Sequence, residues 1–445
     1  MNNKEFIKIV APITFQYLMT SLVSASDAFM LGFLDQTSLA AASLATQIAF
    51  IYSLFFTAFV MGFNVMAAQY WGKGDRITVE KVITISMRYT LLVGIVFSLI
   101  TLLFPEQVMH LFTTDKAIIV QGALYLRAVS LSYVLTGFAQ IYFGVLKVCN
   151  HAGLSSLIGS LSVVVNIGLN AILIFGLLGM PKLGIVGAAL ATVLARIFET
   201  VFVILVLQKY KCPRTRLKYL FLTNEKMLHS AYWKYTMPLL VNQLGWGGGI
   251  TMYSVIMGHL GSDATAANSI ASIVRSMIAS LCWGIAAGVS IIIGGTLGRN
   301  QLEEAKRLGS KYVRLSIVIG VGSGIVILML TPLVVHVVTL SNQAVYYLKA
   351  MLCMAAYYII GNSLNSTIIS GIFPAGGDTR FGMICDLITL WIVIVPMGML
   401  AAFVFHAPVL VVAFILTLDE FVKIPAVYMH YVKYKWVCNI TKEVP

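Results

Sequence analysis

The sequence repeats itself once, with a constant separation of 226 residues between the two copies. Pro12 aligns with Pro238, and the same separation brings Gly72 onto Gly298 without a gap. Glycine and proline have the most distinctive backbone preferences, so their matched positions indicate that the two copies share backbone geometry. The repeat therefore predicts a chain built from two similar lobes.

Composition places these lobes in a lipid bilayer. Of the 445 residues, 59% are hydrophobic and 11% are charged, and the mean hydropathy is +0.90, whereas soluble domains carry about 25% charged residues. Apolar runs of the roughly 20 residues that a transmembrane helix needs recur along the chain. They lie near residues 9–34, 44–70, 83–104, 118–146, 156–178, 184–208, 236–260, 266–297, 312–338, 342–373, 381–404 and 407–431. Because the runs lack the alternation of a β-barrel, we predict an all-α integral membrane protein with twelve transmembrane helices, six in each lobe.

The placement of basic residues predicts the orientation. Most of the 30 Lys and Arg residues lie in the even-numbered loops and in both tails, and the longest basic stretch joins the two lobes. The positive-inside rule then puts both termini and this stretch in the cytoplasm of a cell-membrane protein. We predict an N-terminal lobe at 1–208, a linker at 209–234 and a C-terminal lobe at 235–445. An even number of spans in each lobe makes the repeat parallel, and the net charge of +13 is interpreted as an orientation signal rather than as a nucleic-acid site.

The sequence favours transport over catalysis. It holds neither a phosphate-binding loop nor a nucleophile elbow, so an ATP-driven pump within this single chain is excluded. The seven histidines and six cysteines show no metal-ligand spacing. We therefore predict no enzymatic activity, no metal and no cofactor, and expect an ion gradient to supply the energy.

Polar residues in the first lobe predict an ion site. Asp27 lies deep in the first helix without a basic neighbour on that helix, and acids at membrane depth are usually functional or paired. Helical spacing puts it on one polar face with Gln16, Thr20 and Ser24. The fifth helix carries Asn166 and Asn170 at the same spacing. We interpret Asp27 as the proton-carrying group; the alternatives are a structural, hydrogen-bonded acid or an acid that lines a water-filled cavity. For the two asparagines, the alternative is a hydrogen-bonded contact between helices.

The second lobe holds further candidates. Arg275, Asp386, Asp419 and Glu420 are candidates for a secondary ion site, with Lys423 placed to pair with Glu420 or Asp419. We expect Arg275 to need an acidic partner, for which Asp419 lies at a suitable depth. In the first lobe, Arg196 and Glu199 are expected to pair. Predicted substrate-binding residues, polar or aromatic and lying inside helices, are Gln16, Thr20, Ser24, Gln243, Trp246, Tyr358, Asn362 and Asn365.

Four segments resemble the multidrug and toxic compound extrusion (MATE) family, in its prokaryotic form. They are Pro12 to Gly32 with its Ser26-Asp27 pair; Asn166 to Gly176 followed by Gly184 to Thr192; Gly72 to Asp75 with its repeat partner Gly298 to Gln301; and Lys435-Trp436 with Asn439 to Thr441. The second segment is the most specific, and the likeness covers essentially the whole chain.

The resemblance implies two six-helix bundles around a V-shaped central cleft, exporting cationic aromatic compounds in exchange for H⁺ or Na⁺. The family's first-helix acid corresponds to Asp27, and its fifth-helix polar positions to Asn166 and Asn170, with Thr192 nearby. Some relatives carry an acid where Asn170 stands. Sodium-coupled members carry acids in helices seven and ten, where this chain has Trp246 and Ser363, and this difference favours protons.

We therefore expect an H⁺-coupled antiporter for cationic amphipathic compounds, acting as a monomer in the lipid bilayer and binding no nucleic acid. A Na⁺-coupled drug antiporter is one alternative. A flippase for lipid-linked saccharides is another, which predicts a strongly cationic cavity. A membrane-embedded enzyme would need a polar cluster at one interface, and a receptor or scaffold would not need a two-lobe repeat with buried acids.

Overall fold

The computed structural model describes residues 3–33, 35–215, 226–338 and 340–442, except for some side chains within the first helix. All regular elements in these ranges are helical, and the chain divides into two compact units. The first unit contains residues 1–67 and 74–232, and the second contains residues 68–73 and 233–445.

Seven helices build most of the first unit. They are α1 (Asn3–Gly32), α2 (Gln36–Lys73), α3 (Arg76–Leu103), α4 (Pro105–His110), α5 (Lys116–Val148), α6 (Ala152–Phe175) and α7 (Gly184–Lys209). Helix α6 packs on α1 and α7, while α5 packs on α3 and α7. The α6–α7 contact is close, since a Cβ on Gly187 would lie 2.5 Å from the carbonyl oxygen of Leu173. These contacts place the polar face of α6 between its two neighbours.

The second unit contains the later helices. They are α8 (Lys226–Gly258), α9 (Ser262–Gly298), α10 (Leu302–Val337), α11 (Asn342–Ala375), α12 (Thr379–Val404), α13 (Val409–Leu416) and α14 (Asp419–Val432). Within α11 the segment Ser366–Ile372 is π-helical, as are Ile388–Ile394 and Leu400–Val404 within α12. Such wider turns shift the side chains that follow them and are frequent at functional sites.

Each of the twelve predicted spans coincides with helical structure in the described ranges. Nine of these helices are both long and apolar enough to cross a membrane, namely α2, α3, α5, α6, α7, α9, α10, α11 and α12. The all-α membrane architecture predicted from the sequence is thus confirmed. The predicted linker at 209–234 contains the observed division between residues 232 and 233, but residues 216–225 lie outside the described part, and the linker stays a prediction.

The prediction of one continuous helix over 407–431 is wrong. The helix breaks between α13 and α14, where the Thr417 hydroxyl donates to the Phe414 carbonyl at 2.8 Å and lies 2.6 Å from the Tyr357 hydroxyl. Side-chain bonding to the backbone competes with helix propagation. As a result, Asp419 and Glu420 occupy the first turn of α14, where the helix dipole favours negative charge.

The repeated glycines lie at close backbone contacts in the second unit. A Cβ on Gly72 would lie 2.2 Å from the carbonyl oxygen of Gly295, and one on Gly298 would lie 1.9 Å from that of Gln69. The two positions related by the repeat thus allow the end of α2 and the end of α9 to approach each other. The Gln69 side chain also donates to the Ala375 carbonyl at 2.7 Å and accepts from the Ile440 N–H at 2.9 Å.

Candidate functional site

An ion cluster in the second unit is centred on Lys423. Its Nζ atom lies 2.9 Å from Asp386 Oδ1 and 3.0 Å from Glu420 Oε2. The second Asp386 oxygen accepts a hydrogen bond from Asn242 at 3.0 Å. One ammonium is therefore paired with two carboxylates, because a buried charge is stable only with a partner of opposite charge.

Amide and hydroxyl groups from α11 complete the coordination of Glu420. Asn362 donates to its Oε1 atom at 3.0 Å, Asn365 donates to its Oε2 atom at 2.8 Å, and the Tyr358 hydroxyl donates to Oε1 at 3.4 Å. Glu420 is 3% exposed, and its two oxygens share four donors. It is therefore a fully hydrogen-bonded structural anion rather than an open one.

Local backbone features bring these helices together. Small residues of α8 admit side chains of α12, since a Cβ on Gly245 would lie 2.2 Å from Leu387 and one on Gly249 would lie 2.0 Å from Leu390. Asn242, one turn earlier on α8, thereby reaches Asp386 on α12. The π-helical segments begin directly after Asn365 and soon after Asp386, so wide turns adjoin both positions.

The expected pairing of Lys423 with Glu420 is confirmed, and the expected pairing of Arg275 with Asp419 is wrong. Lys423 pairs with Glu420 and Asp386, and no ion pair within 4 Å joins it to Asp419 in the described structure. Arg275 forms no ion pair with Asp419 or with any other acid of the described residues. Its guanidinium lies 5.2 Å from the centre of the Tyr358 ring. The expectation failed because it considered only acids, whereas an aromatic face also stabilises a cation.

A cavity of about 150 Å³ lies beside this cluster, within the second unit. Its walls include the rings of Trp246 and Trp283, which meet edge to face with centroids 5.9 Å apart. Three methionines also line it: Met257, Met351 and Met354. Aromatic and thioether walls make an apolar, adaptable surface.

Only some of the predicted substrate-binding residues of this unit line the cavity. Trp246, Tyr358 and Asn362 line the cavity. Asn365 instead binds Glu420, with its Nδ2 atom also 2.6 Å from the Glu420 carbonyl. Gln243 is not among the residues that line the cavity. Trp246 also borders a smaller cavity with Asp386, Asp419 and Lys423, so this residue lines both cavities.

In the first unit, the predicted polar residues of α6 form one chain. Asn170 donates to Asn166 at 3.3 Å, and Asn166 donates to the Thr192 hydroxyl of α7 at 3.5 Å. Asn170 is fully buried. The structure therefore brings together three of the four predicted proton-coupling residues, although no coupling role follows from the contacts alone.

The fourth residue, Asp27, belongs to α1, but its side chain lies outside the described residues, as does that of Ser24. Gln16 of the same helix is buried and accepts a hydrogen bond from Ser155 of α6 at 3.2 Å. The hydroxyl of Thr20 donates to the Gln16 carbonyl at 2.9 Å. Gln16 thus links α1 to α6, a role that the sequence pattern did not predict.

The ion pair expected within α7 is confirmed. Arg196 contacts Glu199, whose carboxylate also accepts a hydrogen bond from Ser162 at 3.3 Å. Sequence reasoning noted Asn242 as a polar residue beside Trp246 but did not place it at the ion cluster, and it missed Trp283 as a residue of the cavity. Two sequence features marked these residues: the polar spacing from Asn242 to Trp246, and the position of Trp283 inside an apolar helix. Neither feature reveals which helix packs against the residue.

The comparison with protein families decides the identity. A family model described as MatE matches residues 12–172 and again residues 238–400. The two matches begin 226 residues apart, as the sequence repeat does. The chain belongs to the MatE family.

Relatives of this MatE protein cover most of its length. The probable multidrug resistance protein YoeA of Bacillus subtilis is 26% identical over 81% of this chain and 78% of its own. The probable multidrug resistance protein NorM of Thermotoga maritima is 21% identical over 89% and 84%. Among solved structures, a mutant of the Vibrio cholerae MATE transporter VcmN aligns with a TM-score of 0.88 at 16% identity, covering 97% of this chain and 96% of its own. That structural likeness confirms the fold.

The ion cluster and the cavity lie partly within the second matched range and partly after its end. Trp246, Arg275 and Tyr358 all lie inside the second matched range, while Asp419 to Lys423 follow its end. The first matched range holds Asp27, Asn166 and Asn170. The two halves of this MatE protein therefore carry different polar groups on one repeated scaffold.

Proposed function

We propose that this MatE-family protein is a secondary active multidrug exporter that moves cationic amphipathic compounds out of the cell in exchange for protons. The aromatic and methionine-lined cavity of about 150 Å³ carries the proposal. Aromatic faces attract organic cations, and methionine adapts to different ligand shapes. The names of YoeA and NorM, probable multidrug resistance proteins, point the same way.

Proton coupling is assigned to Asp27 with the neighbouring polar chain Asn166, Asn170 and Thr192. Protonation removes the charge of a carboxylate and lets helix α1 repack against α6, a contact that Gln16 and Ser155 already make by hydrogen bond. The repacking lowers the affinity for a cationic substrate. Proton and substrate then bind antagonistically, and by linkage each weakens the other's binding to the same degree.

The second unit supports protons rather than sodium. Asp386 and Glu420 already share the ammonium of Lys423, so a Na⁺ ion at these carboxylates would have to displace a covalently attached cation. Ser363, at a position where sodium-coupled members carry an acid, donates its hydroxyl to the Ser316 carbonyl at 2.7 Å. A neutral hydroxyl carries no charge to balance a bound cation, whereas a carboxylate does.

A Na⁺-coupled antiporter is the second candidate, and one observation favours it. Asp419 is 6% exposed, and its Oδ1 atom has no hydrogen-bond partner among the described residues. Carboxylate oxygens are ligands for hard cations. Sodium dependence that disappears in Asp419→Asn and persists in Asp27→Asn would identify this candidate.

Ethidium accumulation in cells that express the protein tests export. Expressing cells are expected to hold less ethidium than cells with an empty vector, and a protonophore is expected to abolish the difference. Asp27→Asn at equal membrane abundance is expected to behave like the empty vector. Equal accumulation in expressing and control cells would overturn the proposal.

The remaining features of the layout are also proposals. We propose a monomer with both termini in the cytoplasm and with the linker at 209–234 joining two lobes. Accessibility of a cysteine introduced at Lys442 or at Arg214 to a membrane-impermeant reagent tests the orientation. Labelling of intact cells at either position would contradict it.

A further inference from the structure

Arg275 is the one charged side chain that lines the larger cavity within the described part of the chain. The cavity walls are otherwise apolar, aromatic, amide or hydroxyl groups. A cation thus faces a space that we assign to amphipathic compounds. Attraction of organic cations by the aromatic walls does not account for a fixed cation at this position, so the residue calls for its own explanation.

Two acids of the ion cluster, Glu420 and Asp386, are occupied by donors other than Arg275. Tyr358 turns its ring face to Arg275 and its hydroxyl to Glu420. Glu420 also binds Lys423 and two asparagines, while Asp386 binds Lys423 and Asn242. Asp419 lies beyond ion-pair distance of Arg275. None of the described carboxylates therefore contacts the guanidinium.

The guanidinium retains hydrogen-bonding capacity. Its Nη2 atom donates to the Ser272 hydroxyl at 3.4 Å, and this is the one hydrogen bond it forms with the described residues. Arginine has five N–H donors in a planar fork that matches a carboxylate. The Tyr358 ring offers no lone-pair acceptor to these donors, so most of them remain available to a ligand.

The size of the cavity limits the ligand group. A space of about 150 Å³ holds one aromatic ring, as an engineered cavity of that size in another protein holds benzene. Trp246 and Trp283 supply edge and face surfaces for such a ring. Mostly apolar walls with one charged group are the arrangement that fixes the orientation of a small ligand.

We propose that this cavity binds an aryl carboxylate group, with the ring against Trp246 and Trp283 and the carboxylate on the fork of Arg275. The ligands are aromatic compounds that carry a carboxylate. They include zwitterions that also carry a separate cationic group, and such compounds are substrates of the export function proposed above. This inference goes beyond that function because it concerns equilibrium binding of an anionic group. It holds whichever ion drives transport.

Two dyes provide a matched pair of probes. Rhodamine 110 carries a free carboxylate on its pendant ring, and rhodamine 123 is its methyl ester with the same cationic ring system. Fluorescence polarisation with purified full-length protein in phosphatidylcholine nanodiscs measures both affinities, after subtraction of binding to empty nanodiscs. The wild type is expected to bind rhodamine 110 at least ten-fold more tightly, as for one charge-assisted bidentate pair.

Arg275→Gln removes the charge and is expected to weaken rhodamine 110 binding about ten-fold while leaving rhodamine 123 binding unchanged or tighter. Arg127→Gln is the matched control, because Arg127 is half-exposed and lies in the other unit, 3.5 Å from Glu106. The control is expected to bind both dyes as the wild type does. Equal loss of both dyes in Arg275→Gln would overturn the proposal.

A measurement on the wild type alone covers the case in which Arg275→Gln fails to fold. Benzoate is expected to displace rhodamine 110 at a concentration at least ten-fold lower than benzamide, its neutral counterpart. Equal displacement, or tighter binding of rhodamine 123 than of rhodamine 110, would overturn the aryl carboxylate site. Absence of drug export together with preferential benzoate binding would instead contradict only the proposed export function.

Discussion

The Nζ atom of Lys423 lies 2.9 Å from Oδ1 of Asp386, and this ion pair joins α14 to α12. The same ammonium lies 3.0 Å from Glu420. The side chain of Lys423 is 10% exposed, so water screens the cluster weakly. The second unit thus carries its buried acids together with an internal counter-ion.

Removal of that counter-ion is expected to destabilise the protein. Lys423→Met keeps most of the length of the side chain and leaves two buried carboxylates without an ammonium. Breaking a buried pair in this way costs about 3–5 kcal/mol. Thermal unfolding in detergent is expected to show a large fall in Tm, whereas Lys433→Met, at an exposed position, is expected to leave Tm nearly unchanged.

The triple variant Lys423→Met, Asp386→Asn, Glu420→Gln provides the charge-balanced comparison. Neutralising both acids removes the unpaired charges, so the triple variant is expected to recover part of the lost Tm. A triple variant less stable than Lys423→Met alone would contradict the electrostatic explanation of the cluster.

The repeated glycines are expected to be intolerant of a methyl group. Gly72→Ala and Gly298→Ala each place a Cβ against a backbone carbonyl oxygen, at 2.2 Å and 1.9 Å. Backbone displacement of this kind costs about 1–3 kcal/mol. Gly322→Ala is the control, because no atom lies within 4 Å of its added Cβ, and it is expected to be neutral or stabilising. Equal Tm values for all three variants would contradict the close approach.

The asparagine chain of α6 is expected to behave as one coupled unit. Asn166→Ala removes the acceptor of Asn170 and the donor to Thr192. Once Asn166 is gone, Thr192→Val loses only the bond from its hydroxyl to the Ala188 carbonyl, at 3.1 Å, so the effects of the two substitutions are not additive. A double-mutant cycle on unfolding is expected to give a coupling of about 0.6 kcal/mol. Additive effects would show that the Asn166–Thr192 contact contributes nothing.

Asp35 is expected to make stability depend on acid pH at the start of α2. The backbone N–H of Ser38 donates to its carboxylate at 2.6 Å and the Ser38 hydroxyl at 2.7 Å, and both bonds lower the pKa of Asp35. Because the pKa of Asp35 is lower in the folded state, the contribution of Asp35 to stability is complete above its ordinary pKa of about 3.9. That contribution is lost as the pH falls through the folded-state pKa.

Asp35→Ala is therefore expected to cost about 1 kcal/mol at pH 7, as for the loss of an N-cap, and progressively less toward pH 3. Amide hydrogen exchange in the first turn of α2 measures the local effect at both pH values. Gln36→Ala, at an exposed neighbouring position, is the control. An effect of equal size at pH 7 and pH 3 would contradict the assignment to the charged carboxylate.

Local sequence patterns predicted the helices and the pairs within one helix. Long apolar runs form helices in lipid because the backbone has no other partner there, and Arg196 with Glu199 are neighbours on one helix face. The break at Thr417 was not predicted, because an apolar run does not show that this hydroxyl bonds to the Phe414 carbonyl and contacts the Tyr357 hydroxyl of another helix. A single run of apolar residues does not encode that contact.

Pairs between helices could not be predicted for the same reason. Asp386 and Lys423 are 37 residues apart in the chain, and only the packing of α12 on α14 brings them together. Arg275 was expected to find an acid and instead lies over Tyr358. Sequence spacing identifies residues that need partners, but the choice of partner is a property of the packed structure.

The most direct test of proton-coupled export uses the purified protein in liposomes, with ethidium as the substrate. A pH gradient and a Na⁺ gradient are imposed separately, and transport is compared between the wild type and Asp27→Asn. Transport driven by the pH gradient alone, and abolished in Asp27→Asn with an unchanged Tm, is the predicted result. Transport driven by Na⁺ alone, or a pH-driven rate unaffected by Asp27→Asn, would contradict the account.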